Sequence, residues 1–173
     1  MAVSQTGLLA WLGYAMGINM KNKINETPSG DEILRLDNQL CFALYVCSKE
    51  IIKKYKPILE PLGLTYTGYI TMLALWEEDN LTVKDLGNKL YLDSGTLTPL
   101  LKKLEAQNLI NRVRSSNDER NVVITLTEKG RDLKSLAINV PKDLVCSVRF
   151  DKETISKTIG NLHSIMELLT DEE

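Results

Sequence analysis

Three cysteines, Cys41, Cys47 and Cys146, and a single histidine, His163, carry the thiol and metal-binding chemistry open to this chain. Their spacing contains no C-x-x-C with a second ligand pair, so neither a structural zinc nor any other cofactor is expected. An odd cysteine count without an export signal points to a reducing compartment, the cytoplasm, where thiols persist and disulfides are transient. The chemistry that remains is thiol oxidation. Cys41 opens a helical stripe that continues through Tyr45, Ser48, Ile52 and Tyr55. The step from Cys41 to Tyr55 spans ~21 Å of helix, so any contact between them crosses a subunit interface. Cys47 lies about 120° and ~9 Å from Cys41, beyond disulfide reach, and belongs to the apolar stripe as a core cysteine. Cys146, between Pro141 and the last helical pattern, stands where a loop can move and is a candidate resolving thiol. On residue type alone Cys41 reads first as a small core hydrophobe and second as a sensing thiol.

A second set of residues suits nucleic acid. Ser94, Thr96 and Thr98 are short hydroxyl donors near a helix amino terminus, and Lys102 and Lys103 add charge that releases counterions from phosphate. Arg112 and Arg114 extend that face. Arg120 is suited to a narrow minor groove, with Asp118 two residues earlier to hold its guanidinium in a forked pair. These cations outnumber Glu105, Asp118 and Glu119 in the same stretch, although the whole chain carries a net charge of only -2. That balance excludes a histone-like or tail-driven binder and leaves a protein that gathers its basic residues on one face.

The elements that must position these groups are legible in the hydrophobic periodicity. Leu36, Leu40, Leu44, Cys47 and Ile51 mark an amphipathic helix ending near Pro57 and Pro61, and a second helix runs from about Thr65 to Glu77. Thr82, with Asp85 three residues on, caps a short helix containing Val83, Leu86 and Leu90. Asp93 caps the next, which turns Leu97, Leu100, Leu101 and Leu104 inward and Thr96, Thr98, Lys102 and Lys103 outward. Pro99 inside that helix predicts a kink, with Gly95 four residues earlier relieving the ring. The β-branched runs Leu109–Arg114 and Val122–Thr127, separated by the polar residues 115–121, form a hairpin. A helix from Thr127 to about Val140, an interruption at Pro141, and a last helix over Lys152–Leu169 complete the pattern.

The fold class expected is therefore mostly α with a small β-hairpin wing, a winged helix-turn-helix. Residues 36–173 form that domain, with the DNA-reading part at about 65–127 and long helices at about 36–59 and 127–170. Residues 1–35 are an N-terminal extension expected to be poorly ordered, with Met20 as a second possible start. Its apolar stretch Leu8–Ile18 is shorter than a membrane span of about twenty residues and is not preceded by a basic residue, so neither a span nor a secretory signal is expected. An interfacial anchor or partner helix is the alternative for that stretch.

The run Asp37-Asn38-Gln39-Leu40-Cys41-Phe42-Ala43-Leu44-Tyr45, the run Tyr91-Leu92-Asp93-Ser94-Gly95-Thr96-Leu97-Thr98-Pro99-Leu100-Leu101-Lys102, and Asp118-Glu119-Arg120 resemble the organic hydroperoxide resistance regulators, a branch of the MarR family. The resemblance covers about Leu36 to Leu169. It implies a homodimer, joined through its N- and C-terminal helices, that binds pseudo-palindromic double-stranded operator DNA and represses. It implies that Cys41 is the peroxide-reactive thiol and that Tyr55 and Tyr66 reach it from the partner subunit, where phenol donors stabilise the thiolate. It also implies, for the two-cysteine members, an intersubunit disulfide from Cys41 to Cys146 that shifts the reading heads off half-sites about one helical turn apart. Organic hydroperoxide is then the signal, and Phe42, Tyr45, Tyr55, Tyr66 and Met72 would line an apolar pocket for it. Lys103 stands where arginine is more usual, and the segment before Met20 has no counterpart in the pattern. Three readings compete: a MarR-type repressor sensing a small phenolic ligand, a thiol peroxidase, and a winged helix that binds only protein. No catalytic fold surrounds Cys41, so the chain is not expected to be an enzyme.

Overall fold

The computed structural model describes residues 30–114, 122–148 and 150–170. The extension over 1–29 and the wing-tip pair Asp118 and Arg120 lie outside the described residues. The chain divides into two units at Lys53 and Lys54.

In the first unit a four-residue turn of helix, α1 (Gly30–Ile33), and a 3-10 turn at Leu36–Asn38 precede α2 (Leu40–Leu59), which continues into the second unit. The helix thus begins four residues later than periodicity from Leu36 indicates, and Pro57 sits inside its last turn rather than stopping it. Of the twenty residues of α2 only Leu59 is buried. Cys47, expected in the core, is exposed, as are Leu40, Tyr45 and Ile52. The apolar stripe is real, but among the described residues it is only partly covered, with Leu44 and Ile51 half-buried and Leu36, Leu40 and Cys47 exposed.

The second unit holds the core. It comprises α3 (Tyr66–Glu77), β1 (Leu81–Thr82), α4 (Val83–Leu90), α5 (Ser94–Ala106), β2 (Ile110–Arg114), β3 (Val122–Leu126), α6 (Glu128–Ala137), α7 (Val140–Val148) and α8 (Lys152–Thr170). Thr65, Thr82, Asp93 and Thr127 each accept the N–H three residues on, which satisfies a donor that a helix leaves unpaired at its start. Met72, Leu75, Leu86, Leu97, Leu101, Ile110 and Ile124 are almost fully buried, so α3, α4, α5 and the sheet share one core.

The hairpin expected from the β-branched runs is present, with β2 antiparallel to β3 from Ile110 opposite Leu126 to Arg114 opposite Val122. A third strand, β1, joins the other edge of β3 through Leu81 opposite Ile124, giving the order β1-β3-β2. Pro141 corrects a second expectation. It opens α7 rather than interrupting the chain, because a helix start has no use for the N–H that proline lacks. Cys146 therefore stands on a helix and not in a loop.

Candidate functional site

The reading head is built from α4, α5 and the wing. Thr82 Oγ1 accepts the Asp85 N–H at 3.1 Å and donates to the Asp85 carboxylate at 2.6 Å, which fixes the start of α4. Leu92 N–H donates to the Gly87 carbonyl at 2.9 Å, and a Cβ on Gly87 would stand 2.9 Å from the Leu92 oxygen, so glycine there lets the turn close tightly. Asp93 then caps α5. Its Oδ1 accepts the Thr96 N–H at 2.9 Å and its Oδ2 the Thr96 hydroxyl at 2.7 Å, and these two bonds hold the carboxyl below its usual range. A Cβ on Gly95 would lie 2.9 Å from Asp93 Oδ1, so this glycine makes room for the cap, a role distinct from the expected relief of Pro99. The helix runs unbroken through Pro99.

With α5 anchored through Leu97, Leu101 and Leu104, the side chains of Ser94, Thr96, Lys102 and Lys103 are exposed, and neither lysine has a carboxylate partner among the described residues. Thr98 is half-buried and faces a cleft of ≈ 520 Å³ between α4, α5 and the strands. Arg114 is exposed at the end of β2. Arg112 is placed differently. Its Nη1 stands 3.6 Å from Glu105 Oε2, its Nε is buried without a partner, and its side chain lines the same cleft as Lys84, Asn88 and Ser94.

The reading head is pinned to α6 by contacts that sequence patterns did not reveal. Asp79 Oδ1 accepts N–H groups of Leu126 at 2.8 Å and Asn80 at 2.9 Å, while Oδ2 accepts from Arg131 Nη2 at 3.0 Å. Desolvation pushes the Asp79 carboxyl up, but these donors together outweigh it and hold it below its usual range. Trp76 Nε1 donates to the Gly130 carbonyl at 2.9 Å, and Lys134 Nζ to the Trp76 carbonyl at 3.1 Å. The sequence separations, 47 to 58 residues, explain why no local motif announces them.

Among the thiols, Cys41, Cys47 and Cys146 are all exposed and none is bonded to another. In the first unit, Lys49 Nζ lies 5.6 Å from the centre of the Tyr45 ring, four residues after Cys41 on the same helix face. In the second unit the Tyr55 ring packs at a tilt against Tyr66 at 4.9 Å and Tyr69 at 5.9 Å, centroid to centroid. Burial, and then the neighbouring phenols, push Tyr55 up to about 12. Burial and Tyr66 push Tyr69 up as well. Tyr55 is therefore a phenol that keeps its proton, a hydrogen-bond donor at any physiological pH. The family resemblance singled out Tyr55 and Tyr66; the third ring, Tyr69, was not among the expected residues.

The profile of the SarA/Rot transcriptional regulators matches residues 53–136. The organic hydroperoxide resistance transcriptional regulator of Bacillus subtilis (strain 168) is 47% identical over 136 residues, which are 79% of this chain and 92% of that protein. The chain belongs to the organic hydroperoxide resistance regulators of the MarR family. Reduced AbfR bound to DNA, from Staphylococcus epidermidis, superimposes with a TM-score of 0.66 at 33% identity, covering 80% of this chain and 96% of AbfR. AbfR in its disulfide form, also 33% identical and covering 79% and 96%, gives a TM-score of 0.56. No helix among the described residues is long and apolar enough to cross a membrane, and no group of three or more potential ligand side chains gathers among them to hold a metal.

Proposed function

We propose that this chain is a redox-sensing repressor. As a homodimer it binds pseudo-palindromic operator DNA through α5 and the wing, and it releases the DNA when an organic hydroperoxide oxidises Cys41. The observation that carries the DNA half is the exposed row Ser94, Thr96, Lys102 and Lys103 on a helix capped at Asp93 and backed by a buried leucine face. Lys102, Lys103 and Arg114 supply phosphate contacts, and Ser94 and Thr98 hydroxyl donors. Thr96 has spent its proton on Asp93, so toward DNA it serves as an acceptor. Arg112 contributes through the cleft wall beside Glu105, and Asp118 and Arg120 through the wing tip.

The redox half rests on the exposed Cys41 thiol and on the packed Tyr55–Tyr66 pair, in which Tyr55 keeps its proton. Tyr55 shares α2 with Cys41 but stands fourteen residues along it, so the phenols that reach Cys41 are those of the partner subunit. They stabilise the thiolate, which attacks the distal peroxide oxygen. The O–O bond breaks, sulfur is oxidised by two electrons to sulfenic acid, and the alcohol leaves with the proton. Cys146 of the partner then attacks the sulfenic sulfur, expelling water and forming the intersubunit disulfide. The unpaired apolar residues of α2 and α8, among them Leu40, Ile52, Ile159, Met166 and Leu169, provide the dimer interface. The protein acts in the cytoplasm, is not an enzyme and needs no cofactor.

Treating the reduced protein with one equivalent of cumene hydroperoxide tests the redox half. A sulfenic-acid label on Cys41, followed by a reducible dimer band that needs both Cys41 and Cys146, supports it. A label on Cys47, or a band that persists in Cys146→Ser, contradicts it. One observation favours the ligand-sensing alternative: the cleft beside Thr98 and Arg112 is large enough for a small aromatic molecule. That reading requires operator release by a phenolic ligand in Cys41→Ser.

A further inference from the structure

Tyr91, in the turn between α4 and α5, has a φ of 52°, the left-handed region that a Cβ disfavours. The turn demands this conformation. Tyr91 N–H donates to the Asn88 carbonyl at 3.3 Å and Leu92 N–H to the Gly87 carbonyl at 2.9 Å, the paired bonds that close a helix through one left-handed residue, usually glycine. Two other non-glycine residues among those described share the conformation, Asn80 and Asn108, and asparagine tolerates it far better than a bulky aromatic.

No side-chain contact among the described residues repays the strain at Tyr91. Its neighbours all have work: Leu90 and Leu92 pack on the core, Asp93 caps α5, and Lys89 pairs with Glu77 at 3.0 Å and Glu78 at 3.8 Å. Tyr91 is 69% exposed, and neither its ring nor its hydroxyl has a partner among the described residues. A strained backbone that carries an idle, exposed aromatic side chain marks a contact made outside the chain. The residue stands two positions before the cap of α5; the second helix of a helix-turn-helix enters the major groove, so Tyr91, outside that helix, lies at the strand edge rather than the groove floor.

We propose that Tyr91 is a DNA-positioning residue whose phenol hydroxyl donates a hydrogen bond to a backbone phosphate of the operator. This rests on the DNA-binding reading above. It extends that reading to a neutral donor, which fixes the register of α5 without adding charge.

The test uses the full chain, a duplex from upstream of its own gene, an unrelated duplex of the same length, and a series of salt concentrations. Tyr91→Gly should raise Tm by about 2–5 °C, because the strain is relieved. It should also weaken binding to both duplexes by roughly 3–10-fold. Tyr91→Phe should leave Tm unchanged and weaken binding by a similar factor. In both variants the slope of log affinity against log salt should match the parent, since a neutral contact releases no counterion. Parent-like affinity in both variants overturns the contact, and so does a change in salt slope. Weakening in Tyr91→Gly alone overturns the hydroxyl's role. Failure of the parent to bind either duplex overturns the DNA reading itself, an outcome distinct from the others.

Discussion

Gly130 is the residue at which one methyl group should separate the reading head from the helices that follow it. A Cβ placed there would stand 2.0 Å from the Leu109 carbonyl oxygen, where ordinary contact begins at 3.4 Å. Both partners are backbone in a buried setting, so no side chain can swing aside, and α6 must withdraw from the α5–β2 turn by roughly an ångström. One bond crosses that gap, Thr127 N–H to the Leu109 carbonyl at 3.1 Å, and a second, Trp76 Nε1 to the Gly130 carbonyl at 2.9 Å, ties the shifting residue to α3. Overpacking costs about 1–3 kcal/mol and the weakened bonds about 1 kcal/mol each, against a helix-propensity gain of about 1 kcal/mol for alanine over glycine. The net loss for Gly130→Ala is about 2–4 kcal/mol, a Tm lower by roughly 5–15 °C for a chain of this size. Thermal unfolding followed by circular dichroism at fixed protein concentration reads it directly. Propensity alone predicts a rise in Tm, so the sign decides, and a variant as stable as the parent or more so would refute the packing argument.

Three further outcomes follow from the same contacts. Asp79 has its carboxyl held below 3.8 in the folded chain, so its contribution is full above pH 3.8 and is lost as pH falls through the lower folded value. Asp79→Asn should lose about 1–3 kcal/mol at pH 7 and show a flatter acid limb in denaturant titrations across pH 2–5. Tyr55, pushed up to about 12, contributes stability that is full below pH 10 and lost between 10 and 12; the parent should show late-titrating phenols by absorbance at 295 nm, and Tyr55→Phe should reduce the amplitude of that late step by one phenol. Asp93→Ala should lower Tm and weaken DNA binding together, with Asp93→Asn recovering most of both, because asparagine caps equally well.

How much of this was legible in the sequence depends on how local each cause is. The caps Thr65, Thr82, Asp93 and Thr127 and the leucine face of α5 were readable because cap and helix lie within four residues of each other. The hairpin was readable from its β-branched runs. β1 was not, because two residues become a strand only by pairing with Ile124 and Val123. The role of Asp79 was not readable, because two of its three donors, Leu126 and Arg131, come from distant segments. Cys47 and Pro141 were misplaced for different reasons. An apolar stripe does not say which molecule covers it, and a proline reads equally as the stop of one helix or the start of the next. The left-handed Tyr91 gave no signal, since sequence convention reserves that conformation for glycine and asparagine. Of the candidate site, the hydroxyl and lysine row on α5 was foreseen, while the pairing of Arg112 with Glu105 and of Thr96 with Asp93 needed the three-dimensional contacts.

The central claim, that oxidation of Cys41 controls DNA binding, is tested most directly by measuring affinity for the DNA upstream of the protein's own gene. The reduced protein is compared before and after one equivalent of organic hydroperoxide, beside Cys41→Ser. Tight binding by both reduced proteins, with peroxide-induced release in the parent alone and recovery on adding a thiol reductant, is the predicted result. Equal release of parent and Cys41→Ser, or a parent that stays bound after the peroxide is consumed, would contradict it.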